Sequence, residues 1–267
     1  MPGVGVGEAG DCWYSQEDDE VGNCDLVPAD GAPGHYARLR GPLERALKLL
    51  KARHTSIPAT CSVGEPWSGE LDDLPGQAEI AHFYVYGVLG ALYEAVGLGH
   101  GTEAAPETAA WPTPELTAML RPDAPDFADH HPDEPWRLAA TGIPRELFYA
   151  HDWVDPDRWD LWLYENYPTH RQAMRETLAS WVDSVADFAR RRGVPAVLGE
   201  GVVGYTPLLT RFEEHAVGKD IAEFVVDRCL AAGFQGVVLT SNAAPHHPMW
   251  HTDREWMRRV NSRVTTS

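Results

Sequence analysis

The chain has 267 residues, 43% of them hydrophobic and 23% charged, which is apolar mass enough for one sizeable core and excludes disorder, collagen or coiled coil as the dominant state. Forty Asp and Glu against 22 Lys and Arg leave a formal charge of -18, which repels nucleic-acid phosphates and anionic lipid and argues against both as partners. Residues 1–11 lack the basic start and apolar stretch of a secretory leader, and no apolar run approaches the roughly 20 residues of a membrane helix. Cys12, Cys24, Cys61 and Cys229 are scattered without a C-x-x-C pair, so they read as free thiols of a reducing, cytoplasmic compartment rather than zinc ligands.

In chain order, the glycine-spaced start Gly3 to Gly7 has no following helix and carries no dinucleotide fingerprint. Gln16 to Glu20 is a solvated acidic turn on composition alone. Pro42 to His54 predicts a helix with Leu43, Leu47 and Leu50 on one face, and Ile57 to Val63 a strand. Ala78 to Val85 predicts a second strand, rich in aromatics. Residues 99–168 break this rhythm with eight prolines between Pro106 and Pro144 and five tryptophans between Trp111 and Trp162. So long an irregular stretch is uncommon in a compact fold, and the tryptophans argue for order. It reads as a packed excursion with one or two short helices around Pro156 to Asn166, its tryptophans mostly forming its own core.

The C-terminal part is more regular. Met174, Leu178, Trp181, Val182, Val185 and Phe188 mark an amphipathic helix over Gln172 to Arg192, with Gly193 as a left-handed stop and three arginines suited to its negative end. A short apolar run, Ala196 to Leu198, then ends in Gly199-Glu200-Gly201. A second helix, Lys219 to Ala232, stops at Gly233, and Gly236 to Thr240 reads as another buried strand. Thr252 and Glu255 form a capping-box pattern for a last helix through Val264. Two helix–glycine–strand units in succession predict an α/β fold with parallel strands and crossover helices.

Chemistry concentrates where parallel strands end. Glu200 stands at such an end between two glycines, either as a catalytic carboxylate or as one ion-paired to an arginine. His82, Tyr84 and Tyr86 alternate and so share a strand face, either meeting Glu200 or packed in a core. Asn242 and His246 lie in a polar loop after the last strand, with Trp250 closing it. His246, His247 and His251 invite a metal reading, but Pro248 interrupts the helix that would place His247 and His251 on one face and no acidic ligand is near in sequence, so hydrogen bonding to a hydroxylated ligand is favoured over metal. His130-His131 reads as a solvated turn, and Ser62 and Ser241 lack a nucleophile-elbow pattern.

Val197-Leu198-Gly199-Glu200-Gly201-Val202-Val203-Gly204-Tyr205, followed by Ser241-Asn242-Ala243-Ala244-Pro245-His246-His247-Pro248-Met249-Trp250, resembles the cellulase-like, sugar-binding glycosidase family. The resemblance runs from about Pro42 onward. It implies a (β/α)8 barrel of the retaining clan, with Glu200 as the nucleophile on the seventh strand and His82 and Tyr84 as the His-x-Tyr pair of the sixth. The acid/base glutamate is matched by Glu20, although Asp19 stands where the clan has asparagine. By the same comparison Tyr84 or Tyr205 would hold Glu200, while Asn242, His246 and Trp250 shape the sugar pocket.

With Cys12 to Glu20 as the fourth strand, nothing upstream supplies strands one to three. The expectation is therefore a partial (β/α)8 TIM barrel of about five parallel strands, four to eight, forming a single domain over residues 1–267 with the insertion at 99–168. An open barrel has unpaired edges and allows self-association to cover them. The implied activity is retaining hydrolysis of a β-linked carbohydrate with no metal and no organic cofactor, impaired if strands are missing. Two alternatives accompany it: a non-catalytic carbohydrate-binding or scaffold remnant, and a metal-dependent hydrolase using the histidine clusters.

Overall fold

Gly193 and Gly233 both take positive φ, 66° and 86°, just past a helix and just before a strand. Each is the αL residue of a helix-ending motif: Val194 N–H bonds Ala189 O at 3.1 Å, and Phe234 N–H bonds Cys229 O at 2.9 Å. This repeated local device delivers the chain twice from a helix into a parallel sheet. In the computed structural model, described over residues 35–60, 62–63, 78–98, 111–130, 145–203, 207, 209–239 and 249–266, the order is α1 (His35–Arg53), β1 (Ser62–Val63), β2 (Glu79–Tyr84), α2 (Val88–Ala95), α3 (Pro114–Met119), α4 (Arg145–Trp153), α5 (Pro156–Arg192), β3 (Ala196–Val202), α6 (Ala216–Ala231), β4 (Gly236–Val237), α7 (Met249–Thr252) and α8 (Arg254–Thr266). Short 3-10 turns occupy Phe127–Asp129 and Phe212–Glu214.

The described strands form one small parallel sheet in the order β1-β2-β3-β4, the same as their order in the chain. β2 and β3 supply most of it; β1 and β4 are two residues each. Bonds from Gln235 N–H to Ala196 O and Val238 N–H to Leu198 O, at 2.9 and 2.8 Å, carry the β3–β4 pairing one residue beyond β4 on each side. The fold is thus mixed helix and strand with a small parallel sheet, and strand Cys12 to Glu20 lies outside the described residues. Ile57 does not join the first strand: it is 62% exposed, and pairing begins only at Ser62.

The chain divides into two compact units. One holds the described residues up to Tyr84, Thr177–Val202 and those from Ala222 onward. Here Leu178, Val182, Val185 and Phe188 of α5, the face its helical periodicity marks, are buried, as are Val225, Val226 and Cys229 of α6. Phe83 lies 5.8 Å, ring to ring, from Trp181 of α5, so the Ala81–Phe83 side of β2 is the helix-covered one. Asp183 and Arg228 pair α5 with α6, and Glu223 on α6 takes the Trp256 indole at 2.7 Å and Arg263 at 2.9 Å from α8. The last helix starts one residue later than the Thr252 capping box proposes: Asp253 Oδ1 accepts the Trp256 N–H at 3.1 Å, while Thr252 ends α7.

The second unit holds Val85–Glu176 and Val203–Ile221. Its main correction concerns α5, one helix of 37 residues where two or three were expected. Asp155 and Pro156 form a start signal, an N-cap aspartate accepting Asp157 N–H at 3.0 Å with proline at the first helical position. Pro168 reads as a breaker, yet it sits inside the helix. Neighbouring polar side chains occupy nearby carbonyls: Asn166 Nδ2 donates to Trp162 O and Thr169 Oγ1 to Asn166 O, both at 2.8 Å. α1 likewise starts earlier than expected and contains Pro42.

Candidate active site

Alternation along β3 would put Glu200 on the same side of the sheet as Leu198, against the helices. It does not stand there. Ala81 pairs with Leu198, but His82 pairs with Glu200, a register shift that leaves Gly199 as an extra residue. This β-bulge turns Glu200 to the side of Ile80 and His82, so that Glu200 Oε2 lies 3.4 Å from His82 Nδ1. The His82 side chain is 13% exposed and that of Glu200 38%, so the carboxylate keeps access to solvent or ligand while the imidazole is set into the sheet. Tyr84, two residues along, follows His82 on its strand and pairs with Val202.

Glycines close the site locally. A Cβ at 199 would overlap Ile80 Cγ2 and lie 3.1 Å from His82 Nε2; one at 201 would come within 2.7 Å of the Phe83 carbonyl oxygen. The two glycines flanking Glu200 therefore admit the neighbouring strand, its side chains at 199 and its backbone at 201. Chemically, the arrangement is a half-exposed carboxylate beside an imidazole that can donate to it and orient it.

The other proposed site residues divide by position. The strand β2 ends at Tyr84, before Tyr86, whose ring lies 6.2 Å from that of Tyr93. Trp250 lies on the short helix α7. Glu20, Tyr205, Asn242 and His246 lie outside the described residues. Among the described residues, no group of three or more His, Cys, Asp or Glu is arranged to hold a metal ion.

His130 corrects the solvated-turn expectation, being only 5% exposed. Its Nδ1 accepts the Trp153 indole N–H at 3.2 Å, its carbonyl accepts Arg145 Nε at 2.9 Å, and the Tyr149 ring lies 5.2 Å away. Aromatic packing and local bonds, rather than solvent, therefore surround it. Two tryptophans of the insertion pack as core: Trp111 packs on Phe127 at 4.3 Å and on Tyr149, and Trp159 is fully buried 6.0 Å from Tyr93. Cys229 is a free, buried thiol, pushed up to about 12 by burial.

Sequence reasoning missed Asp160. Buried at 7% exposure, it accepts Arg211 N–H at 2.7 Å and Phe212 N–H at 3.1 Å and so holds the start of the 212–214 turn. Burial raises its pKa against those two hydrogen bonds and the influence of His215. Its partners are backbone groups some fifty residues away, which leave no local signal.

A helix-fed parallel sheet carrying a half-exposed carboxylate on a bulge is a framework for ligand chemistry at strand ends. Residues 120–265, more than half of the chain, match the family described as cellulase-like, sugar-binding cellulase-like, and the chain belongs to that family. Membership relates it to glycoside hydrolases and carbohydrate-binding proteins and makes a carbohydrate the class of ligand it suggests. The match takes in Glu200, Tyr205, Asn242, His246 and Trp250, and leaves out His82, Tyr84 and Glu20; it begins well after Pro42. No curated protein and no solved structure matches the chain. Among the described residues no helix is long and apolar enough to cross a membrane.

Proposed function

We propose that the protein is a retaining glycoside hydrolase of β-linked carbohydrate built on a partial (β/α)8 barrel, with Glu200 as the nucleophile and Glu20 as the acid/base. The observation that carries this reading is the Glu200 carboxylate, set on a parallel strand beside His82 at 3.4 Å and still 38% exposed. A strand order equal to chain order, with helices between β2 and β3 and between β3 and β4, supports a barrel sector over a doubly wound sheet, whose order reverses.

In this mechanism a Glu200 oxygen bonds the anomeric carbon as the glycosidic C–O bond breaks, and Glu20 gives its proton to the departing oxygen. Glu20 then takes a proton from water, which attacks the same carbon and releases Glu200. Retention requires the two carboxyl groups about 5–5.5 Å apart. His82 orients Glu200 from the strand, Tyr84 or Tyr205 steadies it as charge leaves, and Asn242, His246 and Trp250 shape the sugar pocket. No metal or organic cofactor takes part. The reading includes a cytoplasmic setting, supported by the free thiol of Cys229, and a single catalytic domain free to self-associate along its open sheet edges.

Aryl β-glycosides supply the test. Turnover by the wild type, its loss in Glu200→Ala and recovery of that variant by azide identify the nucleophile. Sugar-dependent tryptophan fluorescence without turnover, unchanged in Glu200→Gln, refutes hydrolysis and leaves a carbohydrate-binding protein.

A further inference from the structure

We infer that Gly199 is a positioning residue for Glu200, its missing side chain being what brings the carboxylate beside His82. The inference rests on the reading of Glu200 as the reacting group. Three observations carry it. The β2–β3 register shifts between Ala81 and His82, so the extra residue is Gly199. A Cβ there would point to the side occupied by Ile80 and His82, overlapping Ile80 Cγ2 and standing 3.1 and 3.3 Å from His82 Nε2 and Cδ2. The same side holds the His82–Glu200 contact of 3.4 Å. Two consecutive residues of β3 therefore face one side of the sheet, and there is room for the second side chain because the first has none. A side chain at 199 pushes on the His82 ring and opens the contact that orients the carboxylate. Leu198, just before the bulge, stays fully buried opposite Ala81, so the re-aiming is confined to the strand's last residues.

The experiment follows the ring 15N resonances of His82 at fixed pH, together with turnover of an aryl β-glycoside. In the wild type, Glu200→Gln moves the His82 resonances. In Gly199→Ala the same replacement leaves them still, and kcat falls about 10- to 100-fold with KM within about twofold, the size of effect expected when a reacting group is displaced by about 1 Å. Gly199→Ala/Ile80→Ala, which makes room for the added methyl, recovers most of both signals. A folded Gly199→Ala in which Glu200→Gln still moves the His82 resonances overturns the inference, as does a folded double variant that recovers nothing. Independently of any variant, the wild type must show nuclear Overhauser contacts from Gly199 Hα to the Ile80 methyl and the His82 ring, and their absence also overturns it. A wild type that turns over no glycoside refutes the hydrolase reading instead, and the resonances still decide the placement of Glu200.

Discussion

Replacing Asp160 by alanine tests whether one buried carboxylate organises the turn at 211–214. Its two oxygens take two separate backbone donors, Arg211 N–H at 2.7 Å and Phe212 N–H at 3.1 Å. Alanine leaves both without an acceptor. A buried donor so abandoned costs about 1–3 kcal/mol. Phe212 is fully buried and incurs that cost, whereas Arg211 is exposed and its N–H is recovered in part by water. Against this, the variant no longer has to desolvate a carboxylate. The balance is a loss of about 2 kcal/mol, or a fall in Tm of about 4–8 °C in a chain of this size. Asp160→Asn separates hydrogen bonding from charge, since it keeps one acceptor and can never ionise. Burial raises the pKa of Asp160 in the folded state above the ordinary carboxylate value of 3.8. The folded state therefore holds the proton more tightly than the unfolded one, and this contribution to stability is complete below pH 3.8 and is lost as pH rises through the folded pKa. Urea titrations of wild type and Asp160→Asn across that range should show the wild type losing ground to the variant as pH rises. A loss under about 1 kcal/mol in Asp160→Ala, or a pH-independent gap between wild type and Asp160→Asn, refutes the assignment.

Asp220 carries the opposite sign. Burial alone would raise its pKa, but hydrogen bonds from Arg171, Arg175 and Tyr167 outweigh it and lower it. Its contribution is present above pH 3.8 and lost as pH falls through the depressed value; because it is about one-third exposed, Asp220→Asn should cost only about 1 kcal/mol at neutral pH, less in high salt, in urea denaturation. Phe83→Ala removes a ring that is 1% exposed and packed on Trp181, for an expected loss of about 3–5 kcal/mol by thermal or urea unfolding. A loss below about 1.5 kcal/mol would place the helix-covered side of the sheet elsewhere. Alkylation at pH 8 followed by peptide mapping should leave Cys229 unmodified in the folded protein and modified in urea, because burial holds its thiol up to about 12. Rapid labelling under native conditions would contradict its burial.

Much of the helical framework was legible residue by residue. The apolar stripe from Met174 to Phe188, the stops at Gly193 and Gly233 and the start of the strand at Ala196 all depend on interactions within a few positions, which periodicity and glycine's access to positive φ report directly. Local rules misled elsewhere. The short helices expected around Pro156 to Asn166 and the helix expected from Gln172 are one element running through Pro168, where Asn166 and Thr169 bond neighbouring carbonyls; the last helix is capped by Asp253, one residue after the Thr252 of the capping-box pattern.

Sequence alone determined that Glu200 falls between glycines on a parallel strand, and the chain's membership of the cellulase-like family accords with the resemblance carried by the same stretch. Which side of the sheet Glu200 faces was decided only in three dimensions. Simple alternation sends it toward the helices; pairing with β2 inserts the bulge at Gly199 and turns it to His82. Strand register is set by contacts between segments far apart in the chain, and a shift of one residue exchanges the two faces, so no reading of β3 by itself contains the answer. The burial of His130 and the grip of Asp160 on the 211–214 turn belong to the same class. Each side chain is ordinary for its own segment and acquires its role from partners that folding brings to it.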